Sequence, residues 1–191
     1  MAEYGAADLN LGITEKLSSY LAGLKFDDLP DDVVHECRRG VLDWIGCAIA
    51  GSGHATTDTL AGVLQSMNGE GNSTVFGRGT KLGLLEAPIA NGQMGHVLDY
   101  DDTHMGGVIL HTSGPVLAAM LSLGEKRGLS GKDLMLGYVA GFEAGVRPGR
   151  GAPNHHDGGW HLTGTLGAMA AGAACSVMLG LNAQQIVHAF G

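Results

Sequence analysis

The sequence predicts an all-α protein, and three observations carry that prediction. Apolar residues recur at helical spacing through nearly the whole chain. Start and stop signals for helices sit at the ends of those stripes. No internal repeat is present, nor any βαβ alternation of strands with helices.

The elements follow in order. Leu17, Tyr20, Leu21 and Leu24 form a first stripe behind a Thr14 cap. Pro30 and Asp31 open a second helix, with a stripe of Val34, Cys37, Val41, Leu42, Ile45, Ala48 and Ile49 that Gly51 ends. Leu60, Val63, Leu64 and Met67 mark a third, closed by Gly69. Residues 71–81 are a polar, Gly-rich break, with 73–76 as a short extended piece. A helix is expected again over 82–98. Ser113 reads as the cap of the next, with Pro115 in its first turn and Gly128 beyond its last. Ser130 and Asp133 form a capping-box pair for a helix expected to end at Pro148, and Asn182 and Gln185 repeat the pattern. Gly137, Gly141, Gly145, Gly164, Gly167, Ala170, Ala171 and Ala174 place small residues inside helices. A helical glycine costs about 1 kcal/mol against alanine, so this usage predicts helices packed backbone to backbone.

Composition narrows the function. Thirty-three glycines in 191 residues are about twice the usual share, yet they have no Gly-X-Y period and lie among apolar residues, against collagen and a disordered linker. The formal net charge of −8 argues against nucleic acid and an anionic membrane surface as partners. Cys37, Cys47 and Cys175 are widely spaced within helical patterns and read as core thiols of a reducing compartment. The opening MAEYGAADLNLG lacks the basic and apolar regions of a signal peptide, so a cytoplasmic location is expected. From 158 to 191 there is no Asp, Glu, Lys or Arg, which requires burial, a membrane or a partner. Residues 162–181 have the length of a span, but their Gly, Thr and Ser content and unanchored flank favour a buried helix.

Two polar clusters interrupt the helices: 95–104 with His111, Thr112 and Ser113, and 154–165. Together they hold six of the nine histidines, and each leads into a helix start able to hold a carboxylate. Asp101 and Asp102 are compatible with turn or cap roles. His161 and Asp99 are flanked by Trp, Tyr or Leu, which predicts partial burial and a general base tuned near neutrality. A metal is the competitor, through His156-Asp157. That pattern needs a further downstream acid, however, and none follows Asp157. With no HExxH, P-loop or paired Cys ligands, neither a metal nor another cofactor is expected, and acid/base chemistry is preferred.

The motifs now in view resemble the N-terminal part of the MmgE/PrpD family, which includes 2-methylcitrate dehydratase, cis-aconitate decarboxylase and iminodisuccinate epimerase. The resemblance runs nearly end to end. It rests on Asp28-Leu29-Pro30, Leu42-Asp43, Gly46-Cys47-Ala48 and Ala90-Asn91-Gly92 before His96. Its core is Leu98-Asp99-Tyr100-Asp101-Asp102-Thr103, then His111 and Ser113, Gly141-Phe142-Glu143 with Arg147, and 160–165 (WHLTGT). Thr112 stands where the family has Pro, and the 104–110 loop is longer than in some members.

That resemblance implies a helical-bundle core spanning 1–191 as a single domain, with the family's second, lid-like domain absent. It implies lyase or isomerase chemistry on a small polycarboxylate, in a homo-oligomer or with a complementary C-terminal half. It places Asp99, His111 and His161 at catalytic positions, His161 as base and His111 as acid or proton donor, with the two roles open to exchange. Thr103, Asp102, His104 and Arg147 are expected to bind substrate. Dehydration, decarboxylation, epimerisation and a non-catalytic half-enzyme all stay open at this level.

Overall fold

A computed structural model of the chain describes residues 12–68 and 71–191. Among these are eight α-helices and one small hairpin: α1 (Ile13–Gly23), α2 (Asp31–Gly51), α3 (Ala55–Asn68), β1 (Ser73–Val75), β2 (Thr80–Leu82), α4 (Glu86–His96), α5 (Ser113–Arg127), α6 (Gly131–Arg150), α7 (Leu162–Met178) and α8 (Ala183–Phe190). The all-α class is as the periodicity predicts.

Local chemistry explains most of the boundaries. Both capping boxes form, at Ser130 with Asp133 and at Asn182 with Gln185. Gly128 closes α5 at φ 63°, a left-handed conformation a side chain would resist. Four boundaries differ from expectation. α1 begins one residue before Thr14, behind Gly12 in the left-handed region. Helix structure over 82–98 shrinks to α4, because Leu82 is drawn into the hairpin opposite Ser73. Ser113 is not the cap of α5. Thr112 holds that position, and the Ser113 hydroxyl bonds the Tyr138 hydroxyl instead. α6 runs through Pro148 to Arg150, since a proline so near the end removes little of the helix ladder. Gly69 and the opening eleven residues lie outside the described residues.

The core has three parts. The main one joins α2, α4 and α5 around Trp44, Met94, Leu117 and Met120, all fully buried. Trp44 packs edge-on to Phe76, which fixes the hairpin against α2. Asn91 clamps the same hairpin to α4: its Oδ1 accepts from the Phe76 N–H at 3.0 Å and its Nδ2 donates to the Thr74 carbonyl at 2.9 Å. A second part joins α1, α6, α7 and α8 through Leu21, Ala140, Ala144, Ala173 and Ile186. The third, Val108, Leu110, Val146, Leu162 and Leu166, lies under the long loop before α5. Leu42 and Ile49, expected in the core stripe, face outward; Trp44 takes the inward place.

The chargeless stretch is accounted for mainly by α7, which packs between α5 and α6 with Leu162, Leu166, Ala170, Ala173, Ala174 and Met178 buried. Its seam with α6 is as close as the small residues predict. A Cβ on Gly141 would stand 2.9 Å from the Ala170 carbonyl oxygen, and one on Gly145 would stand 3.3 Å from the Ala170 Cβ. No helix among the described residues is long and apolar enough to cross a membrane. Cys37 and Cys47 are buried as expected, and burial pushes the Cys37 thiol up to about 11.

Candidate functional site

The site is built where α4 ends and α5 and α7 begin. His96 is the last residue of α4. Three residues on, Asp99 takes a left-handed conformation, φ 54°, while its N–H donates to the His96 carbonyl at 2.9 Å. Aspartate tolerates that conformation better than most side chains. The reversal turns Asp101 back beneath His96, where its side chain is fully buried. Oδ1 of Asp101 accepts from His96 Nδ1 at 2.8 Å and lies 3.4 Å from His111 Nδ1.

The loop after Asp101 is closed by a small hairpin in which His104 and Leu110 exchange backbone hydrogen bonds. Thr103 donates its hydroxyl proton to the Asp101 carbonyl at 3.3 Å, and its Oγ1 lies 3.4 Å from His111 Nδ1. The two helix starts are tied directly: the His111 N–H donates to Thr163 Oγ1 at 3.1 Å. His161 is the residue that precedes α7, in the N-cap position. The ring centroid of His96 is 4.8 Å from that of His111 and 6.4 Å from that of His161. Three imidazoles therefore converge beside two helix N-termini, whose free N–H groups favour negative charge.

Of the residues singled out from sequence, Asp99, Thr103, His111 and His161 meet here. Donor atoms of His96, Asp99 and His111 all lie within 4.8 Å of one another, a grouping compact enough for one divalent cation. Asp99 and His161 are exposed, contrary to the partial burial expected from their neighbours. Tyr100 and Trp160 are themselves 57% and 61% exposed and do not cover them. His111 is the sheltered histidine, its side chain 17% exposed.

Three expected substrate contacts stand apart. His104 donates Nδ1–H to the Val108 carbonyl at 2.9 Å and packs against Phe142, serving the loop. Arg147 is paired with Glu143 along α6, with its guanidinium over the Tyr20 ring. Asp102 turns away from the histidines into a cavity of about 910 Å³ between α2 and α6, also lined by Asp32, Glu36, Asp43, Tyr138 and Glu143. Arg39 also lines it but is paired with Glu36, so the remaining carboxylates repel a polycarboxylate, and no histidine lines that cavity. Burial holds the Asp102 carboxyl above its ordinary range, while the Ser113 hydroxyl works against the shift. Burial likewise raises the Tyr138 hydroxyl. In the second polar cluster, His155 stacks on Trp160 and reaches Thr165, not the three imidazoles.

Sequence reasoning passed over His96 and Asp101 as site residues. Their contact depends on the left-handed turn at Asp99, and no glycine announces that turn. Among the described residues, no Lys or Arg pairs with Asp99, Asp101 or Asp102.

Comparison with known proteins gives these positions a context. The chain matches the MmgE/PrpD N-terminal domain over residues 15–191. It is similar to the cis-aconitate decarboxylase of Aspergillus terreus, at 30% identity across 97% of this chain and 40% of that protein. The cis-aconitate decarboxylase-like protein oryM of Aspergillus oryzae is 30% identical across 94% of the chain and 39% of its own length. The mouse (Mus musculus) cis-aconitate decarboxylase is 29% identical, across 89% and 36%. The chain thus spans two fifths or less of the length of these relatives.

Proposed function

The chain belongs to the MmgE/PrpD family, and from that membership and the histidine geometry we propose that it forms the histidine half of a lyase site for a small polycarboxylate. One observation carries the reading: His96, His111 and His161 converge where the first turns of α5 and α7 meet. The helix starts would hold substrate carboxylates. His161, the exposed one, would remove a proton α to a carboxylate in a dehydration or epimerisation, with His111 giving one to the departing hydroxyl or back to carbon. In a decarboxylation the C–C bond electrons stay on the substrate as CO2 leaves without a proton, and one of the two histidines would protonate the carbon that receives them. Thr103 orients His111 from beside Nδ1, and Asp99 borders the same space. Oriented N–H groups at the helix starts would stabilise the developing charge.

Similarity to cis-aconitate decarboxylases favours decarboxylation of a cis-aconitate-like tricarboxylate over dehydration of 2-methylcitrate. Cations for such a substrate would come from a second copy of the chain or from a complementary C-terminal segment of the family type. The test is turnover of cis-aconitate, 2-methylcitrate and iminodisuccinate by the chain, alone and with such a segment added. Decarboxylation of cis-aconitate is expected in the assembly, falling about 10²- to 10⁴-fold in His161→Ala and in His111→Ala. No turnover of any of the three, or full activity in His161→Ala, would sink the reading. Activity should survive a chelator. Loss on chelation, restored by a divalent cation, would replace acid/base chemistry with a metal at His96, Asp99 and His111.

A further inference from the structure

We propose that Asp101 is a positioning residue that fixes two imidazoles at once, holding His96 and His111 with Nδ1 turned inward and Nε2 free toward the site, and so makes His96 a third working histidine. The Asp101 carboxylate is enclosed, its side chain 0% exposed. One oxygen accepts from His96 Nδ1 at 2.8 Å and lies 3.4 Å from His111 Nδ1, which also has the Thr103 hydroxyl oxygen beside it at 3.4 Å. An ionised carboxylate only accepts hydrogen bonds, so the nitrogen facing it carries the proton. In a neutral imidazole the other nitrogen is then the acceptor.

The other oxygen of Asp101, Oδ2, is buried and accepts no hydrogen bond. It stands at the first turn of α5, where a Cβ on Gly114 would come within 3.8 Å, so the helix start supports its negative charge. The carboxylate thus has the start of α5 behind it and turns its other oxygen to the two rings. His96 is in turn the more open of the pair, its side chain 37% exposed against 17% for His111, and its ring centroid lies 4.8 Å from that of His111 and 6.4 Å from that of His161. Its free Nε2 is therefore available to pass a proton or to bind a substrate oxygen. The tautomer stands on geometry alone, whereas the part in turnover rests on the acid/base reading above.

The experiment is two-bond ¹H–¹⁵N NMR of the histidine rings, which reports the protonated nitrogen of each. In the wild-type chain, His96 and His111 are expected as Nδ1–H tautomers in their neutral forms. In Asp101→Ala, His96 should move toward Nε2–H, whereas Asp101→Asn, which keeps an acceptor oxygen, should restore the wild-type pattern. Wild-type signals of the Nε2–H type, or an unchanged His96 in a folded Asp101→Ala, would overturn the proposal. If the alanine variant fails to fold, the wild-type and Asp101→Asn spectra still decide it. In the catalytic assembly, kcat should fall about 100-fold in Asp101→Ala and partly recover in Asp101→Asn, with KM little changed. The predicted tautomers without turnover by any form would sink the lyase reading and leave the tautomer standing; turnover with kcat indifferent to Asp101 and to His96→Gln would overturn the catalytic part.

Discussion

The α6–α7 seam and the histidine corner share α7 and are built on opposite terms. Along the seam, Gly137 and Gly141 face the Ala170–Met178 side of α7 so closely that backbone meets side chain. Nothing polar is left over there. The corner does the reverse. Of the seven buried side-chain polar atoms without a partner among the described residues, three belong to Asp101, Asp102 and Thr112. Each such atom costs on the order of 1–3 kcal/mol, and the main core carries one as well, the Trp44 indole N–H. The difference marks where stability is made and where it is given up for chemistry.

The largest effect should come from breaking the seam with one methyl group. Gly141→Ala places a Cβ 2.9 Å from both the Ala170 carbonyl oxygen and the Val116 methyl groups. Backbone cannot yield as a side-chain tip does, so overpacking outweighs the helix propensity that alanine adds. A net loss of about 2 kcal/mol is expected, or roughly 4–8 °C in Tm for a chain of this size, read by thermal unfolding. A neutral Gly141→Ala would show that the two helices can separate at little cost, and the contrast with the corner would weaken.

Those two regions also differ in how far the sequence disclosed them. The seam was legible because small residues at intervals of four on one helix and a run of Gly and Ala on another are a local pattern with one packing consequence. The helix starts at Ser130 and Asn182 were equally plain, since a capping box is contained within four residues. His111, His161, Asp99 and Thr103 could be singled out by motif. The partnership of His96 with Asp101 could not, because it depends on a reversal at a non-glycine residue. Arg147 misled for a related reason. A cation near a motif looks available, but Glu143, one turn away on the same helix, pairs with it. Asp102 misled as well, since neighbours in a sequence of acids turned to different sides of the loop.

Asp102, which leaves the corner for the cavity between α2 and α6, offers the next test. Burial raises its carboxyl pKa above the ordinary 3.8, so the native state keeps its proton over a range of pH in which the unfolded chain has lost it. Stability therefore falls as pH rises through that window and stays lower above it. Asp102→Asn removes this cost. The variant should be more stable at neutral pH by about 1 kcal/mol, roughly 2–4 °C in Tm, with the gain vanishing below about pH 4. Denaturation midpoints measured across pH would show it. A gain equal at all pH values would mean that packing, not ionisation, is responsible, and the contrast with the seam would lose one of its supports.

The smallest effect sharpens the comparison most, because it repeats the seam substitution where the seam does not reach. Gly172 lies inside α7, yet a Cβ built on it meets nothing within 4 Å, unlike one on Gly141 in the facing helix. There alanine adds only its advantage over glycine in a helix and its smaller entropy loss on folding. Gly172→Ala should stabilise the chain by about 0.5 kcal/mol, roughly 1–2 °C in Tm. The sign is the measurement that matters. If Gly172→Ala and Gly141→Ala shift Tm in the same direction, local propensity governs both glycines and the seam has no special claim. If the signs oppose, the glycines of α6 are held in place by the approach of α7, and the rigidity that brings the α7 start beside His96 and His111 originates in that contact.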